Sequence, residues 1–181
     1  MGYIDFGNAI FSRWPIEESE RIALPLVEEY PGYYQYFYLK RHILRAKISV
    51  PNQENFWVVN THLEAFSTDG TKKDQIDIVE QTLLDMTSQG QDWIIGGDFN
   101  SLPSGSAMLE GFPDACAGMF EEDTYVGEET WMDSMFAQFN SAMDLDSYAE
   151  DNTPWFSYTG DVEVGWNRTL DYMFTNGAWV D

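Results

Sequence analysis

The sequence has a single cysteine, few basic residues and no long hydrophobic run. Cys116 is the one cysteine among 181 residues, which excludes an internal disulfide and a zinc site built from several cysteines. No apolar run approaches the ~18 residues of a membrane-spanning helix. Hydrophobic residues nevertheless make up 44% of the chain and aromatic residues 16%. This composition excludes a disordered chain, and the length suits one globular domain with a sizeable core.

Lysine and arginine are scarce and unevenly placed. There are 9 of them against 31 acidic residues, so the net charge is −22. All except Arg168 lie between Arg13 and Lys73. Proteins that hold duplex nucleic acid usually offer a broad basic surface, whereas this chain offers one small basic cluster, at Lys40, Arg41, Arg45 and Lys47. We interpret the acidic balance as a means of solubility, with adaptation to high salt as the alternative.

Hydrophobic periodicity predicts an α/β domain. The clearest element is a helix over residues 72–89, where apolar residues recur every three or four positions from Ile76 to Met86 before Gly90 ends it. Strands are predicted over residues 3–11, 33–50, 56–60, 93–95, 155–158 and 169–175, short helices over 104–109 and 131–143, and loops over 13–31 and 121–129. Strand, helix and strand with short links indicate a sheet covered by a helix.

A polar turn follows the apolar strand over residues 93–95. The strand stops at two glycines, and Asp98 and Asn100 come directly after them. If the chain stays extended there, its two-residue period places Asp98 and Asn100 on the same side. A carboxylate and an amide could then hold a metal ion, a phosphate oxygen and a water molecule. The structural alternative is an Asx turn whose side chains cap backbone groups.

Two more polar residues lie at predicted strands. His62 follows the strand over residues 56–60, and Asp171 lies within the last strand. Strand ends are where α/β sheets hold their active sites. Asp171 is expected to be buried and to need a partner, either Arg168 or a histidine whose tautomer it fixes. A structural hydrogen bond is the alternative role for His62, and His42, within a predicted strand, is interpreted as structural.

Four motifs occur in order along the chain. They are G-N-A-I-F-S-R-W-P-I at residues 7–16, N-T-H-L at 60–63, G-G-D-F-N at 96–100 and L-D-Y-M-F at 170–174. Together they resemble the endonuclease/exonuclease/phosphatase superfamily of metal-dependent hydrolases of phosphate esters. The resemblance implies part of a DNase I-like four-layer α/β sandwich, in which two packed β-sheets are flanked by helices. It also implies Mg²⁺ or Mn²⁺ as the cofactor, and as substrate a nucleic acid, a phospholipid headgroup or a small phosphodiester.

The resemblance also implies roles for individual residues. Asp98 would orient or deprotonate the attacking water, and Asn100 would position it and bind a phosphate oxygen, both near the metal. His62 would contact the scissile phosphate and stabilise its developing charge, and Asp171 would orient a second histidine. A divalent cation, a carboxylate beside water and fixed donors are the parts that this chemistry needs.

Three further residues are expected near the substrate. Trp155 and Trp166 would flank the cleft, and Arg168 would bind the substrate. The alternative for both tryptophans, which we favour slightly, is an ordinary place in the aromatic core.

Some motifs of the superfamily have no counterpart in this sequence. These are an asparagine after the first strand, a glutamine–glutamate pair whose glutamate binds the metal, and a closing S-D-H. Residues 1–181 are therefore expected to be one domain that lacks its N-terminal portion and its C-terminal end, and to bind Mg²⁺ weakly and hydrolyse little. The competing hypotheses are a non-catalytic binding or scaffold module of the same fold and an unrelated acidic α/β enzyme.

Overall fold

The protein is described by a computed structural model that covers residues 7–28, 31–33, 38–65, 67, 69–113, 124–160, 163 and 165–179. In this part of the chain the strands form one mixed six-stranded sheet with the order β1-β2-β3-β4-β6-β5. The strands are β1 (Ile16–Ala23), β2 (His42–Ile48), β3 (Phe56–His62), β4 (Asp92–Asp98), β5 (Asn140–Ser141) and β6 (Asp171–Thr175). The helices are α1 (Thr71–Ser88), α2 (Asp133–Gln138) and α3 (Leu145–Glu150), followed by a 3₁₀ turn at Thr153–Trp155. The predicted α/β class is confirmed.

Helix α1 covers one face of the sheet because its apolar residues share one side. Four of them are fully buried, namely Ile76, Val79, Leu83 and Met86. They belong to the same core cluster as Trp93 and Ile95 of β4. Burying a side chain of this size contributes about 1.5–3 kcal/mol, so this contact fixes α1 against the centre of the sheet. The predicted helix over residues 72–89 is confirmed to within one residue at each end.

The parallel pairing of β3 and β4 depends on a glycine. The register runs from Phe56 opposite Asp92 to His62 opposite Asp98. A Cβ atom on Gly97 would lie 2.2 Å from the carbonyl oxygen of Thr61, a distance that no real side chain tolerates. The missing side chain therefore lets the two backbones approach and sets the ends of both strands side by side.

Most of the predicted strands are present. β3, β4 and β6 confirm the strands over residues 56–60, 93–95 and 169–175, and β2 confirms the second half of the one over residues 33–50. Residues 34–37 and 3–6 of two predicted strands lie outside the described residues, and residues 7–11 form no strand.

Residues 13–31 were predicted as a loop, and that prediction is wrong. β1 pairs antiparallel with β2 over most of its length. Arg45 Nε donates to Glu20 Oε2 at 2.8 Å, and Lys47 Nζ lies 3.3 Å from Glu17 Oε2. β1 is an edge strand whose residues are almost all exposed, so the sequence lacks the apolar alternation that would reveal it.

The predictions after β4 are less accurate. Residues 104–109 form turns and bends, because Gly105 takes a left-handed conformation with φ 88°. The helix predicted over residues 131–143 shortens to α2 and gives way to β5. Residues 155–158 end a 3₁₀ turn and contribute a single bridge between Tyr158 and Arg168. The pairing of β5 with β6 overrides the local helix propensity of residues 140–143.

The acidic segment over residues 121–129 was predicted as a surface loop. Residues 121–123 lie outside the described residues, but Tyr125 and Glu128 are buried. Glu128 is buried because it pairs with a buried lysine, described below. No helix in the described part of the chain combines the length and the apolar character that crossing a membrane needs.

Replacing Gly97 by alanine is expected to lower the free energy of unfolding by about 1–3 kcal/mol, the usual cost of forcing an extra methyl group into a packed site. The reason is the collision of the new Cβ with the Thr61 carbonyl. Urea unfolding followed by circular dichroism measures the difference.

Gly96→Ala is the matched control, since a Cβ there would meet only Met173 Cγ at 3.7 Å, an ordinary contact. Equal stabilities of the two variants would contradict the close approach of β3 and β4.

Candidate active site

Polar and charged residues gather at one edge of the sheet. β3 ends there at His62 and β4 ends at Asp98, and these two residues are directly paired. β6 begins there at Asp171, which lies opposite Asp98. β2 also begins there, at His42, because it runs antiparallel to β3. The sheet topology therefore brings together residues that lie far apart in the sequence.

His62 and Asp98 are in direct contact. Their Nε2 and Oδ2 atoms are 3.5 Å apart, which is longer than a normal hydrogen bond. Oδ1 of Asp98 accepts a hydrogen bond from the backbone N–H of Asn100 at 2.9 Å. The carboxylate is thus fixed at one oxygen, while the other faces the imidazole.

The environment of Asp98 favours its neutral form. Burial raises the pKa of Asp98 to about 6, and the charge of Asp171 raises it as well. The hydrogen bond from Asn100 and the charges of Arg41 and Lys72 oppose this increase. A carboxyl group with this pKa changes its protonation state just below neutral pH, which suits a group that takes a proton from water.

The pKa of His62 is shifted in the opposite direction, below its ordinary value. Burial lowers the pKa of His62, and the charge of Arg41 lowers it further, against the smaller opposing effects of Asp171 and Glu64. At pH 7 the contact with Asp98 therefore joins a neutral imidazole to a carboxylate. A neutral imidazole retains one N–H donor.

Asn100 does not continue an extended strand, so the condition for its two-residue alternation with Asp98 is not met. Its φ is 49°, in the left-handed region that asparagine tolerates better than most residues. Its N–H bonds Asp98 in an Asx turn, and its Nδ2 donates to the carbonyl of Leu63 at 2.9 Å. The Asx turn, which was the structural alternative, is therefore present. Asn100 also links the end of β4 to Leu63, the residue after His62.

Lys72 stabilises this turn from the protein interior. It is 1% exposed, and its Nζ donates to the carbonyl oxygen of Asn100 at 2.8 Å. The same atom lies 2.6 Å from Glu128 Oε2 and over the rings of Tyr125 and Trp131. The sequence did not reveal this residue, because a lysine in the first turn of an amphipathic helix is normally exposed to solvent.

Asp171 and Arg168 do not form the ion pair that was one of two predicted alternatives. Asp171 is exposed, and its N–H donates to Ser157 Oγ at 3.0 Å. Arg168 is 1% exposed, and its guanidinium carbon lies 4.3 Å from the ring centre of Tyr158 and 4.6 Å from that of Phe112. The guanidinium of Arg168 is thus in cation–π contact with both rings, and the expectation of a buried Asp171 is wrong.

The two tryptophans occupy different environments. Trp155 is half-buried and packs against the main core, in accord with the core interpretation. Trp166 is 63% exposed, so the core interpretation is wrong for it. Trp166 and Arg168 both line a cavity of about 350 Å³ together with Phe156.

The donor atoms at this edge fit one mode of Mg²⁺ binding. Mg²⁺ is often held by one or two carboxylates, and water and phosphate oxygens complete its coordination. Asp98 and Asp171 supply two carboxylates from facing positions, and burial of Asp98 leaves its charge poorly solvated. Within the described ranges no group of three or more His, Cys, Asp or Glu residues is placed to hold a metal ion, so this part of the chain forms no all-protein cage. Asn100 as a ligand stays a prediction.

Solved structures show the same fold. The catalytic domain of human Nocturnin with a bound sulfate anion is 18% identical with a TM-score of 0.51, over 91% of this chain and 48% of that one. Truncated Caenorhabditis elegans TDP2 is 16% identical with a TM-score of 0.51, over 91% of this chain and 54% of that one. Humanized Danio rerio TDP2 is 16% identical with a TM-score of 0.50, over 92% of this chain and 53% of that one. This chain spans about half the length of these structures.

No curated protein matches the chain. The sequence profile described as the Endonuclease/Exonuclease/phosphatase family matches residues 1–181. The match covers every motif quoted above and agrees with the fold of the solved structures. The chain belongs to the endonuclease/exonuclease/phosphatase family.

Proposed function

We propose that this chain carries part of the active site of a metal-dependent hydrolase of phosphate esters. The observation that supports the proposal best is the meeting of His62, Asp98 and Asp171 at one sheet edge, with His62 and Asp98 3.5 Å apart. Family membership supports the same class of reaction. The substrate class is a phosphate ester, either a nucleic acid, a phospholipid headgroup or a small phosphodiester.

Each residue has a distinct task in this proposal. Asp98, ionised at pH 7, orients water and accepts its proton, and the turn at Asn100 fixes the carboxylate for this task. His62 donates its N–H to a phosphate oxygen as negative charge develops there. Asp98 and Asp171 would hold the divalent cation, Mg²⁺ or Mn²⁺, which neutralises phosphate charge and lowers the pKa of bound water.

Trp166 and Arg168 are proposed to contact the substrate beyond the phosphate. Both line the same cavity, and β6 begins at Asp171, three residues after Arg168. Trp155, packed against the core, is proposed to support the wall of the cleft.

The second candidate function is a non-catalytic binding module of the same fold. It is favoured by the lack of a three-residue metal cluster among the described residues. The reading frame upstream and downstream of this chain discriminates between the hydrolase and the binding module. A hydrolase requires a glutamine–glutamate segment upstream and an S-D-H segment downstream, and their absence would favour the binding module.

The proposed activity is tested on the longest open reading frame that contains this chain. With Mg²⁺ it is expected to hydrolyse bis-p-nitrophenyl phosphate, and Asp98→Ala is expected to lower kcat/KM by at least about 100-fold, because it removes a group that acts in the transition state. Residues 1–181 by themselves are expected to show little turnover.

Asp92→Ala is the matched control, since Asp92 is exposed at the opposite end of β4. Full activity in Asp98→Ala would contradict the site assignment. No metal-dependent hydrolysis in the complete protein would leave the binding module as the better account.

The stability of the chain is expected to fall as the pH rises from about 4 to about 6, in part because of Asp98. Its pKa is higher in the folded protein than in the unfolded chain, so the folded state binds the proton more tightly. Asp98→Asn removes this dependence and should be more stable than the wild type at pH 7 by on the order of 2 kcal/mol, but not at pH 4. Urea unfolding at both pH values measures the difference.

Asp92→Asn serves as the control and is expected to show no such gain. Because the whole chain is strongly acidic, the informative quantity is the difference between variant and wild type at each pH. If the free energy of unfolding of Asp98→Asn differed from that of the wild type by the same amount at both pH values, the raised pKa of Asp98 would be contradicted.

A further inference from the structure

A recess beside His62 is lined by basic residues. It has a volume of about 180 Å³, and its walls include Lys40, Arg41, His42, His62 and Asn8. A single water molecule needs only about 10–15 Å³ of such space, so the recess has room for a polyatomic ion. It lies at the same sheet edge as the candidate active site, on the side of β2 rather than of β6.

The charge of this recess contrasts with that of the whole chain. The net charge is −22 and only 9 residues are lysine or arginine, yet two of these, Lys40 and Arg41, line the recess. Both histidines of the sequence, His42 and His62, line it as well. Along the sheet edge the charge therefore changes from basic at β2 to acidic at β4 and β6.

Arg41 forms only a long ion pair with its neighbouring carboxylate. Its side chain is 8% exposed, and its Nε lies 3.8 Å from Glu64 Oε2, beyond hydrogen-bond distance. Within the described residues this buried Nε has no hydrogen-bond acceptor. The charge of Arg41 also lowers the pKa of His62 and that of Asp98. The guanidinium is thus close to the candidate active site, and its ion pair with Glu64 is too long to satisfy Nε.

The backbone of His42 is fixed at the wall of the recess. Its carbonyl oxygen accepts hydrogen bonds from Asn8 Nδ2 at 2.9 Å and from Thr61 Oγ1 at 3.3 Å. Its Nδ1 lies 3.2 Å from the carbonyl oxygen of Lys40. An imidazole can donate from either ring nitrogen, and Nε2 is the one that this contact leaves available.

We propose that this recess is an anion subsite that holds a phosphate group of the substrate next to the one undergoing hydrolysis. Arg41, Lys40 and His42 supply charged and hydrogen-bonding donors on one side of His62, while Asp98 and Asp171 serve the reacting phosphate on the other. Donors with a positive charge form the stronger hydrogen bonds to phosphate oxygens. The inference rests on the proposed function and narrows it to substrates that carry two or more phosphate groups.

The two histidines allow a direct test by NMR. The full 181-residue chain is titrated with pyrophosphate and, separately, with inorganic phosphate, at constant ionic strength set with NaCl. Because both histidines line the recess, the ring Cε1–H signals of His42 and His62 are both expected to shift with one saturating binding curve. Arg41→Gln is expected to weaken binding at least 10-fold, the loss of one charge-assisted hydrogen bond.

Arg45→Gln is the matched control four residues further along the chain, because Arg45 stacks on Trp57 and contacts Glu20 outside the recess. It is expected to leave the binding curve unchanged. Lys40→Gln, at an exposed position, provides a second variant in case Arg41→Gln disturbs the fold, and it is expected to weaken binding several-fold.

A shift of His62 with His42 unmoved would overturn the proposal, because it would place the anion at the hydrolytic centre only. Equal binding by the wild type, by Lys40→Gln and by a folded Arg41→Gln would also overturn it. These outcomes are independent of the hydrolase assay. If hydrolysis depends on Asp98 but no anion binds in the recess, the subsite is rejected and the proposed function stands. If an anion binds in the recess but the complete protein shows no hydrolysis, the subsite stands and the proposed function is rejected.

Discussion

The close approach of the Gly97 and Thr61 backbones is the constraint on which the candidate site depends. Only a residue without a Cβ leaves room for the carbonyl oxygen of Thr61. This approach keeps β3 and β4 in register to their last pair, His62 and Asp98. The register continues one residue further, because Leu63 N–H donates to the carbonyl oxygen of Asp98 at 2.9 Å. A slip of one residue in this pairing would move every side chain of β3 relative to β4 and separate the imidazole from the carboxylate.

The region around this pair holds charges that are removed from water, and two of them have a clear compensation. Lys72 is neutralised by Glu128 and also holds the left-handed turn at Asn100. Arg168 lies among aromatic rings. At Asp98, in contrast, burial outweighs the favourable contacts and raises the pKa to about 6. Uncompensated burial lowers stability and is typical of a functional group. A divalent cation would remove this penalty, which is the physical link between the fold and the proposed hydrolysis.

The sequence predicted the parts of the fold that local patterns encode. The apolar spacing of α1 predicts its helix to within one residue at each end. The glycine pair predicts the end of β4 too early, because the strand runs through Gly96 and Gly97 to Asp98. β1 was missed because an exposed edge strand carries no apolar alternation. The sequence left the Asx turn at Asp98 and Asn100 as one of two alternatives, because the contacts with Leu63 and Lys72 that hold it come from other elements. Buried ionic partners such as Lys72 depend on tertiary contacts, and the local sequence pattern carries no record of them.

The most direct measurement is an NMR titration of the two histidine ring signals with pH, in the wild type and in Asp98→Asn. Because His62 contacts Asp98, ionisation of the carboxyl group should add an inflection near pH 6 to the His62 signal. Asp98→Asn is expected to remove this inflection and to change the titration of His62. Identical His62 titrations in both proteins would contradict the shared site.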